Sequence, residues 1–119
     1  MRGLTATQAD DLRTALTSAE RRTGLRFGAF LGPPVGARRH FAERLHAAMG
    51  EESPDAVVVF VDVEGRALEI VTGEHARLRL PDGSCRLTAM SMATVFSAGD
   101  LVGGLLYGIN ALAEQAARR

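Results

Sequence analysis

The chain has 119 residues, and its 14 basic residues balance its 14 acidic ones, so its formal net charge at pH 7 is zero. A neutral chain lacks the overall positive charge that attracts nucleic acid or a membrane surface, and we expect it to bind neither. The length predicts one domain over residues 1–119. Cys85 is the only cysteine and the N-terminus has no apolar leader, which together predict a reduced, cytoplasmic protein.

Helical and strand patterns alternate along the chain. Thr7, followed three residues later by Asp10, predicts the cap of a first helix, and Gly24 predicts its end. Alternation over residues 25–31 predicts a strand, and a helical spacing of apolar residues begins at Phe41. In chain order we expect helix 7–23, strand 25–31, helix 37–49, strands 57–61 and 66–71, helix 86–96 and helix 100–117.

The clearest pattern is the run of valine and phenylalanine from Val57 to Val61, which is typical of a strand buried on both faces. Asp62, Glu64 and Gly65 follow it and predict a solvated turn into a second strand. The preceding strand–helix–strand segment predicts a right-handed crossover and a parallel pair. The sequence therefore predicts an α/β (α+β) domain, in which helices cover a small mixed sheet with one parallel crossover and one antiparallel hairpin.

Glycines recur through the last helix at positions 99, 103, 104 and 108. Each glycine inside a helix costs about 1 kcal/mol relative to alanine, so a close approach of another element must offset the cost. Packing inside the domain is the favoured explanation. A homodimer that uses this helix stays open as the alternative, and its interface residues would be Leu105, Leu106, Tyr107 and Ile109.

Several fragments resemble the TPM domain, a family that includes a thylakoid-lumen acid phosphatase, and within it a short actinobacterial-type branch of uncharacterised proteins. The fragments are Glu20 with Thr23-Gly24, Pro54-Asp55-Ala56, Gly73, Leu80-Pro81-Asp82, Phe96, Gly99-Asp100, Gly103-Gly104-Leu105 and Gly108. The chain departs from the family pattern at three positions, which are Arg77 in place of an acidic residue, Thr94 in place of a proline, and Leu101 in place of a tyrosine.

The resemblance implies a three-layer, TPM-like sandwich in which the segments of Glu74, Asp82 and Asp100 lie at one end of the sheet. Converging carboxylates are suitable ligands for Ca²⁺ or Mg²⁺, so these three residues are the candidate metal ligands. Simpler roles also explain them. Asp100 precedes a helix that it can cap, and Asp82 stands in a Pro-Asp-Gly turn.

Three functions remain open at this point. The first is an accessory or interaction domain of the TPM type that acts without catalysis and binds an unknown protein partner. The second is a metal-dependent phosphomonoester hydrolase that uses Asp82 and Asp100, with His75 beside the site. The third is a structural dimer formed through the C-terminal helix. No catalytic residue follows from the sequence.

Overall fold

The computed structural model describes residues 4–118. Its elements, in chain order, are α1 (Ala6–Thr23), β1 (Arg26–Leu31), α2 (Arg38–Ala47), a 3-10 helix (Gly50–Asp55), β2 (Ala56–Asp62), β3 (Ala67–Thr72), α3 (Glu74–Arg79), α4 (Asp82–Ser97) and α5 (Leu101–Ala117). Among the described residues, no helix has both the length and the apolar character that a bilayer crossing requires.

The three strands form one mixed sheet in the order β1-β2-β3. β1 runs parallel to β2, with Arg26 opposite Ala56, and β2 runs antiparallel to β3, with Val57 opposite Thr72. All seven residues of β2 are buried, as expected for a central strand covered on both faces. The predicted fold class, a parallel crossover plus an antiparallel hairpin covered by helices, is confirmed.

Helices cover the two faces of the sheet unequally. Val57, Val59 and Val61 point to the larger core, where they pack with residues of α1, α4 and α5. Phe60 and Val71 point to the opposite face, where α2 covers them. There the Phe60 ring meets the Phe41 ring edge to face, with centroids 5.1 Å apart. The result is three layers, with α1, α3, α4 and α5 on one face and α2 on the other.

The cap of helix α1 lies two residues earlier than the sequence predicts. Thr5, and not Thr7, is its cap, because the Gln8 N–H donates to Thr5 Oγ1 at 3.1 Å and the Thr5 N–H donates to Gln8 Oε1 at 3.0 Å. This reciprocal pair is a capping box, which satisfies two backbone donors at once. The predicted end is correct, since Gly24 adopts a left-handed φ of 77°.

Helix α4 is longer than predicted, because Asp82 and Gly83 belong to its first turn. Pro81 is the residue before the helix, and its carbonyl accepts the Cys85 N–H at 3.1 Å. Thr88 and the other β-branched residues lower the helix propensity, but burial of one face outweighs this. That face contains Cys85, Thr88 and Met92, which are all buried.

Two of the four glycines, Gly104 and Gly108, serve internal packing as predicted, whereas Gly99 precedes α5 with a left-handed φ of 91° and Gly103 lies beside the cap Asp100. A Cβ atom at Gly104 would lie 2.3 Å from the Phe96 ring, and one at Gly108 would lie 2.2 Å from Met92 Sδ. Both neighbours belong to α4, so the missing side chains allow the two helices to pack closely. Leu105 and Ile109 are fully buried in the same core.

One arginine joins the C-terminal ends of two helices. The Arg79 guanidinium donates to the carbonyl of Thr23 at 2.6 Å and twice to the carbonyl of Ala116, at 2.8 and 3.1 Å. These carbonyls close α1 and α5, where the helix dipole favours a positive charge. Arg79 therefore satisfies acceptors that the helices themselves leave unpaired.

Candidate functional site

The structure does not bring the predicted acidic residues together. Asp82 lies in the first turn of α4, whereas Asp100 lies just beyond its end. The helix has 16 residues, which corresponds to roughly 24 Å at about 1.5 Å per residue. The predicted convergence of Asp82 and Asp100 is therefore wrong, because the segment between them is a continuous helix that starts at Asp82.

Each of the three candidate ligands has a local role or is exposed. Asp100 caps α5, since its Oδ1 accepts the Gly103 N–H at 2.8 Å. Asp82 Oδ1 lies 3.8 Å from the guanidinium of Arg77, and Glu74 Oε1 lies 3.7 Å from His75 Nε2. Within residues 4–118, no three His, Cys, Asp or Glu side chains are grouped as a metal site would need. Binding of Ca²⁺ or Mg²⁺ to any of them stays a prediction.

Cys85 lies beside a groove of about 340 Å³ between β3 and α4. Its thiol is buried and donates to the Leu80 carbonyl, with a sulfur–oxygen distance of 3.7 Å. Burial, with a further contribution from the Asp82 charge, raises the pKa of Cys85 from 9.0 to about 11. A thiol with such a pKa stays protonated near neutral pH, so it is a poor nucleophile.

Asp62 is buried, although the sequence predicts a solvated turn. Its Oδ1 accepts the Gly65 N–H at 3.0 Å, and its Oδ2 lies 3.4 Å from Arg38 Nε. Asp62 also borders a cleft of about 230 Å³, whose lining is mixed and includes Arg66, Phe96 and Leu101. Both carboxylate oxygens thus have partners that hold the hairpin turn, which makes Asp62 a structural residue.

Two arginines cover part of the outer edge of β3, where the N–H and C=O groups of Leu68 and the N–H of Ile70 have no partner among the described residues. Arg39 Nη1 donates to the Ile70 carbonyl at 3.0 Å, and Arg77 Nη2 donates to the Thr72 carbonyl at 2.6 Å. These carbonyls point away from β2. Without the arginines, an additional strand could form hydrogen bonds with them. Charged side chains on a sheet edge are a common protection against unwanted strand pairing.

The outer edge of β1 is closed only at its beginning. The Phe27 N–H donates to Glu20 Oε2 at 3.1 Å, which shows that the backbone of Phe27 points away from β2. The alternation of a strand turns the N–H and C=O groups of Ala29 and Leu31 the same way. Within the part of the chain that the structure describes, no hydrogen-bond partner occupies these four groups.

Apolar side chains accompany this open backbone. Phe30 is 38% exposed, and Val35, in the loop after β1, is 71% exposed. The Phe30 ring lies over Gly28, where a Cβ atom would be 3.2 Å from Phe30 Cε2. We call the outward backbone of Ala29 and Leu31, together with the side chains of Phe30 and Val35, the β1 edge. Backbone groups and exposed apolar surface side by side are suited to binding an extended chain.

The residues that close the edges are not apparent from the sequence. Arg39 lies 31 residues from Ile70, and Glu20 lies seven residues from Phe27 across a helix end. The sequence draws attention to Glu20 only as a matching fragment and to Arg77 only as a departure from the family pattern, and to neither as a hydrogen-bonding partner of a strand edge. The pattern RFGAFL, with one charge at its start, does show a strand that lacks protective charges.

A protein-family model described as Domain of unknown function (DUF5130) matches residues 4–113. The chain belongs to the DUF5130 family. The assignment to the TPM family is therefore wrong. Its fragments, such as Thr-Gly after a helix and Gly-Asp before one, are also general capping signals, so they identify helix ends more reliably than a family. No curated protein matches the DUF5130 chain in sequence.

Solved structures share the fold of this DUF5130 domain. The NMR structure of the BA42 protein from the psychrophilic bacterium Bizionia argentinensis has a TM-score of 0.86 at 20% identity, and the match covers 98% of this chain and 83% of that one. The N-terminal domain of a P. gingivalis protein has a TM-score of 0.83 at 19% identity, covering 94% and 75%. The N-terminal domain of cg2496 from Corynebacterium glutamicum has a TM-score of 0.73 at 16% identity, covering 98% and 73%.

These similarities establish the architecture of the DUF5130 domain and leave its activity open. At such low identity, a shared fold carries no information about substrate or partner. No catalytic function is shown by the family or by the structural neighbours. Function has to be argued from the surface of this chain.

Proposed function

We propose that this DUF5130 domain is an interaction domain that acts without catalysis and binds an extended segment of a partner protein along the β1 edge. One observation carries the proposal. Of the two outer edges of the sheet, that of β3 has arginines on the carbonyls of Ile70 and Thr72, whereas the outward backbone of Ala29 and Leu31 on β1 has no side chain bound to it among the described residues.

The contrast between the edges matters because an unprotected edge strand is a template for another strand. Proteins usually protect such edges with charges, proline, bulges or a covering element. β1 contains no proline, and its only charged residue is Arg26 at the start. A partner segment would extend the sheet beyond β1 and pair with the N–H and C=O groups of Ala29 and Leu31.

The expected affinity is moderate. Each new backbone hydrogen bond contributes a net of about 0.5–1.5 kcal/mol. Covering the 38% of Phe30 that is exposed would bury about 80 Å² and add about 2 kcal/mol. The cost of ordering a flexible segment offsets part of this gain. Binding in the micromolar range is the natural outcome, which suits a reversible accessory role.

The other two functions have less support. The hydrolase would need a shared site for Asp82 and Asp100, which lie at opposite ends of α4. The dimer would need the apolar residues of α5, yet Leu105 and Ile109 are fully buried within the domain. Tyr107 is 49% exposed, but the next exposed residue along α5 is the polar Asn110.

The experiment is a selection of random displayed peptides on the wild-type domain, followed by a test of the recovered binders on Ala29→Pro. Proline removes the outward N–H of residue 29 and leaves the ladder to β2 intact, since an edge strand tolerates proline at such positions. The matched control is Ala37→Pro, because Ala37 already has a φ of −64° and is exposed outside the β1 edge.

We expect the binders to lose affinity for Ala29→Pro by at least about tenfold and to keep it for Ala37→Pro, because only the first substitution blocks strand addition. Circular dichroism and thermal melting must show that both variants remain folded. Binders that ignore Ala29→Pro, or a selection that yields no binder, would contradict the proposal.

A further inference from the structure

We infer that the segment bound at the β1 edge belongs to a second copy of this chain. Two β1 strands then pair antiparallel and join two three-stranded sheets into one continuous sheet. The inference rests on the proposed function and names the partner. Three observations carry it: the register in which the open backbone groups match, the position of Phe30, and the charges at the two ends of β1.

One antiparallel register uses all the open backbone groups of the β1 edge. It places Ala29 opposite Leu31 of the other copy, and a two-fold axis then places Leu31 opposite the other Ala29. Each such pair exchanges two hydrogen bonds, so the open N–H and C=O groups of both residues all find partners. Parallel pairing about a two-fold axis fails, because Ala29 would need Gly28 and Phe30 of the other copy, whose backbone groups face β2.

The residues on either side end the pairing without leaving an N–H unpaired. The same register places Phe27 opposite Pro33 of the other copy. Pro33 has no N–H, and the Phe27 N–H already donates to Glu20 Oε2 at 3.1 Å. A register shifted by two residues would pair Leu31 with Phe27 or Ala29 with Pro33, and each choice leaves a carbonyl of the edge without a donor. The open groups therefore select a single register.

The exposed ring of Phe30 gains a partner in this register. Phe30 lies on the face of the sheet that α2 covers, but α2 packs mainly on β2 and β3 and leaves Phe30 38% exposed. The two copies of Phe30 meet at the axis as a pair without hydrogen bonds between them, with Cα atoms about 4.5 Å apart, so the rings pack together. On the same face Gly28 stands opposite Gly32 of the other copy, which leaves room for both rings.

The charges at the ends of β1 favour the antiparallel arrangement. At the start of the strand, Glu20 pairs with no arginine among the described residues, and Arg26 pairs with Glu52 at 2.8 Å. Beyond the end of the strand, Arg44 donates to the Val35 carbonyl at 3.4 Å and pairs with no carboxylate in the described part of the chain. Antiparallel pairing brings the start of one strand beside the end of the other, so Glu20 of one copy and Arg44 of the other lie at the same end of the interface.

The interface is small, because it consists of one strand pair and one aromatic pair. Stable complexes bury roughly 1,200–2,000 Å², so this dimer is weak and dissociates at low micromolar concentration. The edge is therefore open in the dilute domain that the display experiment uses, and it becomes occupied only at high protein concentration.

Sedimentation equilibrium of the full chain, from low micromolar to millimolar concentration, tests the inference. We expect a monomer–dimer equilibrium that Ala29→Pro and Phe30→Ser each weaken by at least about tenfold, because the first removes an N–H of the pairing and the second removes the ring at the axis. The matched control is Tyr107→Ser, which removes an aromatic residue of similar exposure, 49%, from α5. It should dimerise as the wild type does. Thermal melting must show that all three variants remain folded.

A disulfide tests the register itself. In the variant Phe30→Cys the two new thiols meet at the axis, at a Cα separation within the roughly 4.4–6.8 Å that a disulfide spans, and oxidised glutathione should link the copies. Cys85 is buried and does not compete. The control is Val35→Cys, because Val35 is 71% exposed but the register places its two copies far apart along the strands. It should give almost no cross-linked dimer.

A chain that is monomeric at millimolar concentration, a dimer that Ala29→Pro or Phe30→Ser leaves intact, or equal cross-linking at positions 30 and 35 would overturn the inference. A dimer lost only in Tyr107→Ser would overturn it in favour of the α5 face. In each of these cases, display binders that lose affinity for Ala29→Pro would keep the proposed function standing. Binders that ignore Ala29→Pro would overturn the proposed function itself.

Discussion

The substitution Gly73→Ala should destabilise the fold strongly through a single backbone contact. Gly73 links β3 to α3 with a φ of −71°, which any residue can adopt. An added Cβ atom would nevertheless lie 1.9 Å from the Ser53 carbonyl oxygen and 2.5 Å from that of Pro54. Both are backbone atoms of the 3-10 helix, so no side-chain rotation relieves the clash, and the two segments must separate.

The cost follows from this geometry. An ordinary contact of 3.4 Å or more requires the backbone to move by more than 1 Å. Overpacking of this kind costs about 1–3 kcal/mol. The shift also strains the hydrogen bond from the Gly73 N–H to the Ala56 carbonyl, which measures 2.9 Å. We expect a loss of about 3 kcal/mol, and a melting temperature lower by about 10 °C in a domain of this size.

Urea unfolding followed by circular dichroism measures the effect, and Gly83→Ala is the matched control. A Cβ atom at Gly83, in the first turn of α4, would meet nothing within 4 Å. That variant should gain about 0.4–1 kcal/mol, because alanine lowers the entropy of the unfolded chain. If Gly73→Ala were as stable as the wild type, the packing of the 3-10 helix on the end of β3 would be described wrongly.

Three further outcomes follow. Arg79→Ala should lower the free energy of unfolding, measured in urea, by about 2–4 kcal/mol, because the carbonyl ends of α1 and α5 lose a charged donor. Loss of an exposed arginine such as Arg86 should have little effect. Since burial raises the pKa of Cys85 from 9.0 to about 11, the folded state keeps a thiol proton that the unfolded chain loses, so stability should fall between pH 9 and 11, and less so in Cys85→Ala. Millimolar Mg²⁺ or Ca²⁺ should leave the melting temperature unchanged, because the structure groups no ligand set from Glu74, Asp82 and Asp100; a clear rise would restore the metal hypothesis.

The sequence predicts the sheet well because its signal is local. The run from Val57 to Val61 and the turn residues that follow it define the central strand and the hairpin over a few positions. The glycines of α5 were also interpretable, since repeated glycine in a helix requires a close neighbour. Both conclusions depend on residues that are near one another in the chain.

The predictions that failed concern two kinds of feature. Some depend on contacts between distant segments, and others lie where the local sequence fits two different structures. The Pro81-Asp82-Gly83 sequence suits a turn and a helix start equally well, and only the burial of Cys85 and Met92 beyond it selects the helix. The partners of Asp62 and the arginines on the β3 edge come from α2 and α3. The difference between the two edges becomes visible only in the structure, where arginines bind two carbonyls of β3 and none binds Ala29 or Leu31.

Amide hydrogen exchange measured by NMR, with and without a peptide binder from the display, tests the central claim most directly. The account predicts fast exchange at Ala29 and Leu31 in the free domain, strong protection of both when the peptide is bound, and little change at Gly28 and Phe30, whose N–H groups already face β2. Slow exchange at Ala29 and Leu31 in the free domain, or protection by the binder elsewhere with none at these two amides, would contradict it.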